Sequence, residues 1–142
     1  MDNKPYVLMI DDDKFFLNDT EIELQEKAFF KGFRGPNDFE LEVQDKDISA
    51  ADLIIVDYEF KGGTATKSKL APYIRDELGY KGKMILCSLH ADGEIFGEVE
   101  SIRRDYDAII HKRDLCWETL RKFLPQPEKI QVRPLVEQRV PM

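Results

Sequence analysis

Short apolar runs separated by longer amphipathic stretches are the main pattern of this sequence. Four runs are almost continuously apolar, at residues 6–10, 53–56, 84–87 and 108–110. Runs this short are typical of strands covered on both faces, as in a parallel sheet. The stretches between them indicate helices, at residues 13–31, 69–78, 91–104 and 114–124. This alternation predicts a doubly wound α/β fold.

The segment 39–44 has a different pattern. Its residues, F-E-L-E-V-Q, alternate strictly between apolar and polar, which predicts a strand with one packed and one wet face. Only nine residues, 44–52, then separate it from the run 53–56, fewer than a full crossover helix needs. We therefore expect a five-stranded parallel sheet in which the helix between strands 2 and 3 is shortened or missing.

Charge and length limit the classes of function. A chain of 142 residues is the size of one ordinary domain, and 28 acidic against 21 basic residues give a net charge of -7. That balance argues against a surface that neutralises nucleic acid phosphates or anionic lipid. Proteins or small phosphorylated donors are the expected partners, with no nucleic acid and no membrane.

The two cysteines and the N-terminus indicate the compartment. Cys87 lies in a strand-like run and Cys116 in a helix-like one, and no spaced cysteine framework accompanies them, so both are expected to be reduced core residues. The first residues lack the basic and apolar stretches of a signal peptide, and no run reaches membrane-spanning length. A cytoplasmic protein is the resulting prediction.

The character of the chain changes at Pro125. Four of the seven prolines fall in the last 18 residues, so we divide the chain into a domain at 5–124 and a Pro-rich tail at 125–142. The tail is either solvated and disordered, or it adds an edge strand through the alternating residues 129–133. The shortened link at 44–52 would leave part of a sheet face or edge bare, and we predict that the tail's apolar residues cover it either in their own domain or in a neighbour's, the second arrangement being a homodimer.

Three consecutive aspartates, Asp11, Asp12 and Asp13, follow the first apolar run. Carboxylates this close repel one another, and a hard cation such as Mg²⁺ would neutralise them. Aspartate is also a favoured residue at the start of a helix. The triplet alone leaves a metal site and a helix cap equally open.

Polar residues of defined chemistry end the other buried runs. Asp57 follows the second, Ser88 the third and Lys112 the last. In an open parallel sheet, ligands bind at the C-terminal ends of the strands, where these side chains converge. Carboxylates, a hydroxyl and an ammonium at one edge can hold Mg²⁺ and neutralise a phosphoryl group.

On these residues the chain resembles a receiver domain of the two-component response regulators, the CheY-like superfamily, as a divergent stand-alone member. The matching residues, in the family's order, are Asp11-Asp12, Asp57, Ser88 and Lys112, and the resemblance covers residues 5 to about 124. It implies a flavodoxin-like sheet of order 2-1-3-4-5. It also implies a protein that is not an enzyme beyond its own Mg²⁺-dependent phosphorylation and dephosphorylation.

The resemblance implies a role for each matching residue. Asp57 would accept the phosphoryl group from a histidine kinase or phosphotransfer protein. Mg²⁺, or Mn²⁺ in its place, would be bound by Asp12, Asp57 and the main-chain carbonyl of Glu59, with Asp11 helping through water. Ser88 and Lys112 would contact the phosphoryl oxygens, and a downstream protein target would read the result.

Several residues depart from the family's pattern. Residues 58–63 read Y-E-F-K-G-G instead of Met-Pro and a later Gly, and Leu89 follows Ser88 where a small residue is usual. Ile109 occupies the position of the usual switch aromatic, and Arg113 replaces a proline. The acceptor site is therefore expected to be intact, while the relay from the site to the surface is altered.

Two further residues are candidates for tuning dephosphorylation. Glu59 lies two positions after Asp57, and His90 lies two after Ser88, so both would flank the path of an attacking water. An exposed loop histidine without a role is an equally good interpretation of His90. His111 is expected to face away from Lys112, because neighbours on a strand point in opposite directions, and we assign it no role.

Two other function classes compete with a phosphoacceptor. Haloacid dehalogenase-type phosphatases also follow an apolar strand with Asp-x-Asp, here Asp11 and Asp13, but they require Thr or Val where this chain has Phe15. They also require a further acidic pair and a cap that the chain has no room for. A pseudo-receiver, which keeps the fold as a protein-binding module and is never phosphorylated, is the second alternative.

Overall fold

The computed structural model describes residues 4–60, 63–64, 69–89 and 99–125. His90 and the tail 126–142 lie outside these residues, so the predictions made for them stay predictions. Within the described part of the chain, no helix is long and apolar enough to cross a membrane.

Five parallel strands form the main sheet, in the order β2-β1-β3-β4-β5. The strands are β1 Tyr6–Ile10, β2 Phe29–Phe33, β3 Leu53–Asp57, β4 Lys83–Ser88 and β5 Ala108–His111. Two short strands, Glu59–Phe60 and Gly63–Thr64, form a separate antiparallel hairpin after β3. The predicted fold class and strand order are confirmed.

The helices lie on both faces of the sheet. They are α1 Lys14–Leu24, α2 Pro36–Glu42, α3 Asp45–Ala50, α4 Leu70–Pro72, α5 Val99–Asp105 and α6 Trp117–Leu120. A π-helical turn, Tyr73–Glu77, continues α4, and 3-10 turns follow β5 at Lys112–Asp114 and α6 at Arg121–Phe123. The first helix ends at Leu24, seven residues before its predicted end at residue 31.

Alternate residues of the central strands supply two separate cores. Even-numbered residues such as Leu8, Ile54 and Met84 pack with the buried residues of α2, α4 and α5. Odd-numbered residues such as Val7 and Ile55 pack with those of α1 and α6. Because successive side chains of a strand point to opposite faces, a sheet covered on both faces needs continuous apolar runs. This explains the pattern from which the strands were predicted.

The prediction of a second strand at 39–44 is wrong, because residues 39–42 lie in helix α2 and residues 43–44 join it to α3. Pro36 occupies the first turn, where its fixed φ favours helix, and Phe39 is fully buried against Phe33 with the ring centroids 5.0 Å apart. Leu41 is 84% exposed, so the alternation there does not reflect a packed face. The true second strand, β2, precedes it.

The helix predicted to be shortened or missing between strands 2 and 3 is present as two short helices, α2 and α3, so the alternative of a missing helix is wrong. The segment 44–52 contains α3, whose Asp47 is buried. The Asp47 carboxylate accepts hydrogen bonds from Tyr6 Oη at 3.0 Å, Lys31 Nζ at 2.9 Å and Gln44 N at 3.0 Å. These hydrogen bonds connect α3 to both β1 and β2. The bare face that motivated a tail-covered dimer is therefore not present here.

Acidic side chains at the N-terminal edge of the sheet bind backbone N–H groups. Asp52 Oδ2 accepts a hydrogen bond from Tyr6 N at 2.8 Å, and Asp107 Oδ2 accepts one from Met84 N at 2.8 Å. Beside them the Arg75 guanidinium donates to the carbonyls of Asp105, Tyr80 and Gly82. The carboxylates at this edge therefore have structural partners.

The two cysteines are both free thiols. Cys87 is buried in β4, as expected, and burial raises the pKa of its thiol to about 12. Cys116 is only half-buried at the start of α6, so the prediction that it is a core residue is wrong. Its position at a helix start leaves its sulfur beside the Thr119 hydroxyl at 3.5 Å.

Candidate functional site

The acidic triplet at the end of β1 divides into two parts. Asp13 is the N-cap of α1, since its Oδ1 accepts hydrogen bonds from the backbone N–H groups of Phe15 at 3.0 Å and Phe16 at 3.3 Å. Asp11 is fully buried, and its Oδ1 accepts the backbone N–H of Asp13 at 2.9 Å. The helix-cap interpretation is thus confirmed for Asp13, and Asp11 and Asp12 are left for the pocket.

Three carboxylates meet at the C-terminal edge of the sheet. β1 and β3 are neighbours with Ile10 opposite Val56, so the next residues of the two strands, Asp11 and Asp57, lie side by side. One carboxylate oxygen from each of Asp11, Asp12 and Asp57 lies within 4.8 Å of the others. Hard oxygen ligands at this spacing could hold a metal ion, and carboxylates suit Mg²⁺.

Lys112 brings a positive charge to these carboxylates. Its Nζ lies 2.9 Å from Asp11 Oδ2 and 3.4 Å from Asp57 Oδ1, and its side chain is 10% exposed. The residue opens the 3-10 turn after β5, in which His111 Nδ1 accepts the backbone N–H of Arg113 at 3.1 Å. His111, to which the sequence assigned no role, therefore helps to shape the turn that carries the lysine.

The charged side chains of the pocket shift one another's pKa values. Burial raises the pKa of Asp57 to about 7; the neighbouring Asp11 carboxylate adds to this effect and the Lys112 ammonium opposes it. Burial likewise raises the pKa of Asp11. Although its own burial acts in the opposite direction, the two carboxylates hold the pKa of Lys112 above its usual value. Two carboxylates and one ammonium thus lie together in a largely buried site.

The donor set of this pocket fits a divalent cation. Asp11 Oδ2 is buried and has the Lys112 ammonium at 2.9 Å, but accepts no hydrogen bond of favourable geometry. The other oxygen of Asp11, Oδ1, accepts the backbone N–H of Asp13, much as the Asp52 and Asp107 carboxylates accept backbone N–H groups at the opposite edge of the sheet. A buried carboxylate oxygen without such a donor is an oxygen ligand available to a metal.

The remaining predicted site residues lie around this pocket. Ser88 is buried at the end of β4, next to Cys87, the register partner of Asp57. Glu59 is exposed in the first strand of the hairpin, two residues after Asp57. Ile109 lies in the edge strand β5 and is 39% exposed. The structure thus places Asp11, Asp12, Asp57 and Lys112 close together at one edge of the sheet. The roles predicted for these four residues, and for Ser88, Glu59 and Ile109, stay predictions.

One side chain of the pocket was not predicted from the sequence. The ring of Phe16, in the first turn of α1, lies with its centroid 4.5 Å from Lys112 Nζ. Helical side chains all tilt toward the N-terminus of their helix, so this tilt does not distinguish Phe16 from the exposed Phe15 beside it. The sequence therefore contains no signal that singles out Phe16.

Comparisons with known proteins support the fold. No protein-family model matches this sequence, and the search of curated proteins gives no match. Solved structures do match it. A CheY-like response regulator receiver domain protein from Methanospirillum hungatei is 21% identical with a TM-score of 0.64, over 84% of this chain and 93% of that one.

Two further structures are similar to the chain. The response regulator TrrA from Thermotoga maritima, in complex with Mg²⁺-BeF, is 21% identical with a TM-score of 0.65, over 84% of this chain and 99% of that one. The BeF3-activated receiver domain of DrrB is 18% identical with a TM-score of 0.60, over 94% of this chain and 98% of that one. The chain therefore has the fold of response-regulator receiver domains.

Proposed function

We propose that this chain is a phosphoacceptor receiver domain in which Asp57 accepts a phosphoryl group. The observation that carries the proposal is the position of Asp57: its carboxylate lies among the oxygens of Asp11 and Asp12 and 3.4 Å from the Lys112 ammonium. A carboxylate attacks phosphorus only when the charge on the phosphoryl oxygens is compensated. This pocket has both a cationic side chain and a set of metal ligands for that purpose.

The residues have distinct roles in the proposed transfer. An Asp57 carboxylate oxygen forms the new bond to phosphorus, while the bond from phosphorus to the donor breaks and its electron pair leaves with the donor. Mg²⁺, held by Asp11, Asp12, Asp57 and the Glu59 carbonyl, would screen the charge of the phosphoryl oxygens. Lys112 neutralises one of these oxygens, and Ser88 donates its hydroxyl to another.

The donor and the output follow from the same proposal. A histidine kinase or phosphotransfer protein supplies the phosphoryl group, and the signal leaves by contact with a downstream protein. Ile109, in place of an aromatic, is 39% exposed on edge strand β5, so an accessible aliphatic side chain occupies the predicted switch position. The complex of TrrA with Mg²⁺-BeF supports the choice of Mg²⁺. Glu59 and His90 tune the loss of the phosphoryl group.

The position of Asp13 argues against the phosphatase alternative. A haloacid dehalogenase-type reaction would need Asp13 as the second carboxylate of the pair, facing the substrate. Here Asp13 Oδ1 accepts two backbone N–H groups of α1 instead. The pseudo-receiver differs from the proposal only in whether Asp57 is ever phosphorylated, which experiment decides.

Phosphorylation of the purified chain tests the proposal directly. The protein is incubated with Mg²⁺ and acetyl phosphate or phosphoramidate, and its intact mass is measured. We expect an adduct of one phosphoryl group that is lost in Asp57→Ala and kept in Asp38→Ala, a half-buried aspartate of α2. No adduct with either donor would support the pseudo-receiver, and an adduct kept in Asp57→Ala would place the acceptor elsewhere.

A further inference from the structure

We propose that Phe16 is a positioning residue for Lys112, whose ring face holds the ammonium against the carboxylates of Asp11 and Asp57. This inference rests on the proposed function, because it gives Phe16 a part in the phosphoacceptor site. Phe16 itself touches neither a phosphoryl donor nor the acceptor oxygen. Its effect is exerted through the lysine.

The geometry of the contact is the first support. Lys112 Nζ lies 4.5 Å from the centroid of the Phe16 ring, within the range of about 6 Å over which the face of an aromatic ring attracts a cation. Every other cation–ring pair among the described residues is longer, from 5.4 to 5.8 Å. Because the lysine side chain is only 10% exposed, water screens this attraction little.

The position of the ring in the chain is the second support. Phe16 lies in the first turn of α1, and the cap formed by Asp13 fixes the start of that helix. Leu17 beside it is buried in the core between α1 and the sheet. One continuous segment, residues 11–16, therefore carries two pocket carboxylates, the helix cap and the ring. The placement of Phe16 relative to Asp11 is set locally.

The ring adds something that the carboxylates cannot supply. The ammonium has Asp11 Oδ2 at 2.9 Å and Asp57 Oδ1 at 3.4 Å, and both are oxygens that a metal or a phosphoryl group would engage. An aromatic face attracts a cation without offering a metal ligand or accepting a phosphoryl group. Its hold on Lys112 is therefore kept when the carboxylates are engaged by other groups.

The test compares Phe16→Leu, which removes the ring and keeps an apolar side chain, with Phe16→Tyr, which keeps the ring. Phe15→Leu is the matched control, because Phe15 is the adjacent residue of α1 and is exposed. Phe16→Met replaces Phe16→Leu if the leucine variant does not fold. Three quantities are measured: the NMR shifts of the Lys112 ε-methylene protons without metal, the Mg²⁺ affinity, and the rate of phosphorylation by acetyl phosphate.

We expect the ring current to hold the Lys112 ε-methylene protons upfield in the wild type, in Phe16→Tyr and in Phe15→Leu, and not in Phe16→Leu. The phosphorylation rate should fall about three- to tenfold in Phe16→Leu alone, the effect of one buried cation–ring contact. Mg²⁺ affinity should rise in Phe16→Leu alone, by less than the effect of removing the Lys112 charge altogether, because a less firmly held ammonium competes less with the metal. A role in packing alone would leave the phosphorylation rate of Phe16→Leu unchanged.

Unchanged Lys112 shifts in Phe16→Leu would overturn the proposal, and so would changed shifts with an unchanged phosphorylation rate. A rate that falls equally in Phe15→Leu would also overturn it. If the wild type forms no adduct, the proposed function and the part of Phe16 in phosphoryl transfer both fail. In that case the shifts still decide whether Phe16 positions Lys112.

Discussion

The Lys112 ammonium lies 2.9 Å from Asp11 Oδ2, closer than the 3.4 Å that separates it from Asp57 Oδ1. The lysine thus acts as an internal cation for an acidic pocket. Because the same oxygens are the predicted ligands of Mg²⁺, the ammonium and the metal compete for them.

Replacing the lysine should therefore strengthen metal binding. We expect Lys112→Ala to raise the Mg²⁺ affinity about fivefold, or about 1 kcal/mol, because it removes a positive charge from a site with little solvent. Calorimetric titration with Mg²⁺ measures the change. The charge-matched control is Lys122→Ala, an exposed lysine of the last 3-10 turn, which should bind as the wild type does. Weaker binding in Lys112→Ala would contradict this role.

Asp57 should make the metal-free protein less stable as the pH rises. Its pKa is about 7 in the folded chain and about 3.9 in an unfolded one, so between these values the folded state binds the extra proton. The free energy of unfolding therefore falls from about pH 4 to pH 7, and we expect this group to contribute a loss of about 3 kcal/mol. Urea denaturation in EDTA at pH 5 and pH 8 measures it.

The variant Asp57→Asn isolates that contribution, because an amide does not titrate. The difference in stability between pH 5 and pH 8 should shrink in Asp57→Asn and stay as in the wild type in Asp38→Asn. Saturating Mg²⁺ should also reduce the loss at pH 8, since the metal binds only the ionised carboxylates. Equal pH profiles for the wild type and Asp57→Asn would refute the assignment.

Asp47 should be the most costly aspartate to remove outside the pocket. Its buried carboxylate accepts hydrogen bonds from Tyr6, Lys31 and Gln44, so Asp47→Ala leaves three donors without their acceptor. We expect a loss of about 2–3 kcal/mol in the free energy of unfolding, measured by urea denaturation. Asp45→Ala, at an exposed position of the same helix, should cost less than about 1 kcal/mol. Similar losses in the two variants would show that the network contributes little.

Gly35 holds a backbone conformation that suits glycine alone. It precedes α2 with φ 109° and ψ 173°, whereas Gly79 has φ 72°. We expect Gly35→Ala to lower the free energy of unfolding by about 2–3 kcal/mol, and Gly79→Ala by about 1 kcal/mol. Neither added methyl group would collide with a neighbour, so backbone strain is the cause in both. The reverse order of the two losses, measured by thermal denaturation, would contradict this account.

The sequence predicted the central strands well because their apolar runs follow from burial on both faces. The fully buried runs of β1, β3 and β4 were found almost to the residue. β2 was misplaced because it is an edge strand, F-F-K-G-F, whose Phe29 is exposed and whose Lys31 pairs with Asp47. The residues of this edge strand do not alternate between buried and exposed positions, so no strand pattern marks it. The alternation of apolar and polar residues in α2 led instead to a strand being predicted there.

The same reasoning explains what could be predicted about the pocket. Strand ends in a parallel sheet meet at one edge, so Asp11, Asp57 and Lys112 could be grouped from their positions alone. The contact of Phe16 with Lys112 and the hydrogen bond from Arg113 to His111 depend on side-chain directions within single turns. A pattern of apolar and polar residues does not specify such directions.

Arg75 has a consequence for how the helices on one side of the sheet can move. Its guanidinium, carried by the turn after α4, donates to the Asp105 carbonyl at the end of α5 and to the carbonyls of Tyr80 and Gly82 before β4. These acceptors are backbone atoms, so the connection does not depend on which side chains surround it. A displacement of the turn after α4 would therefore carry the end of α5 with it, so the two helices are mechanically coupled.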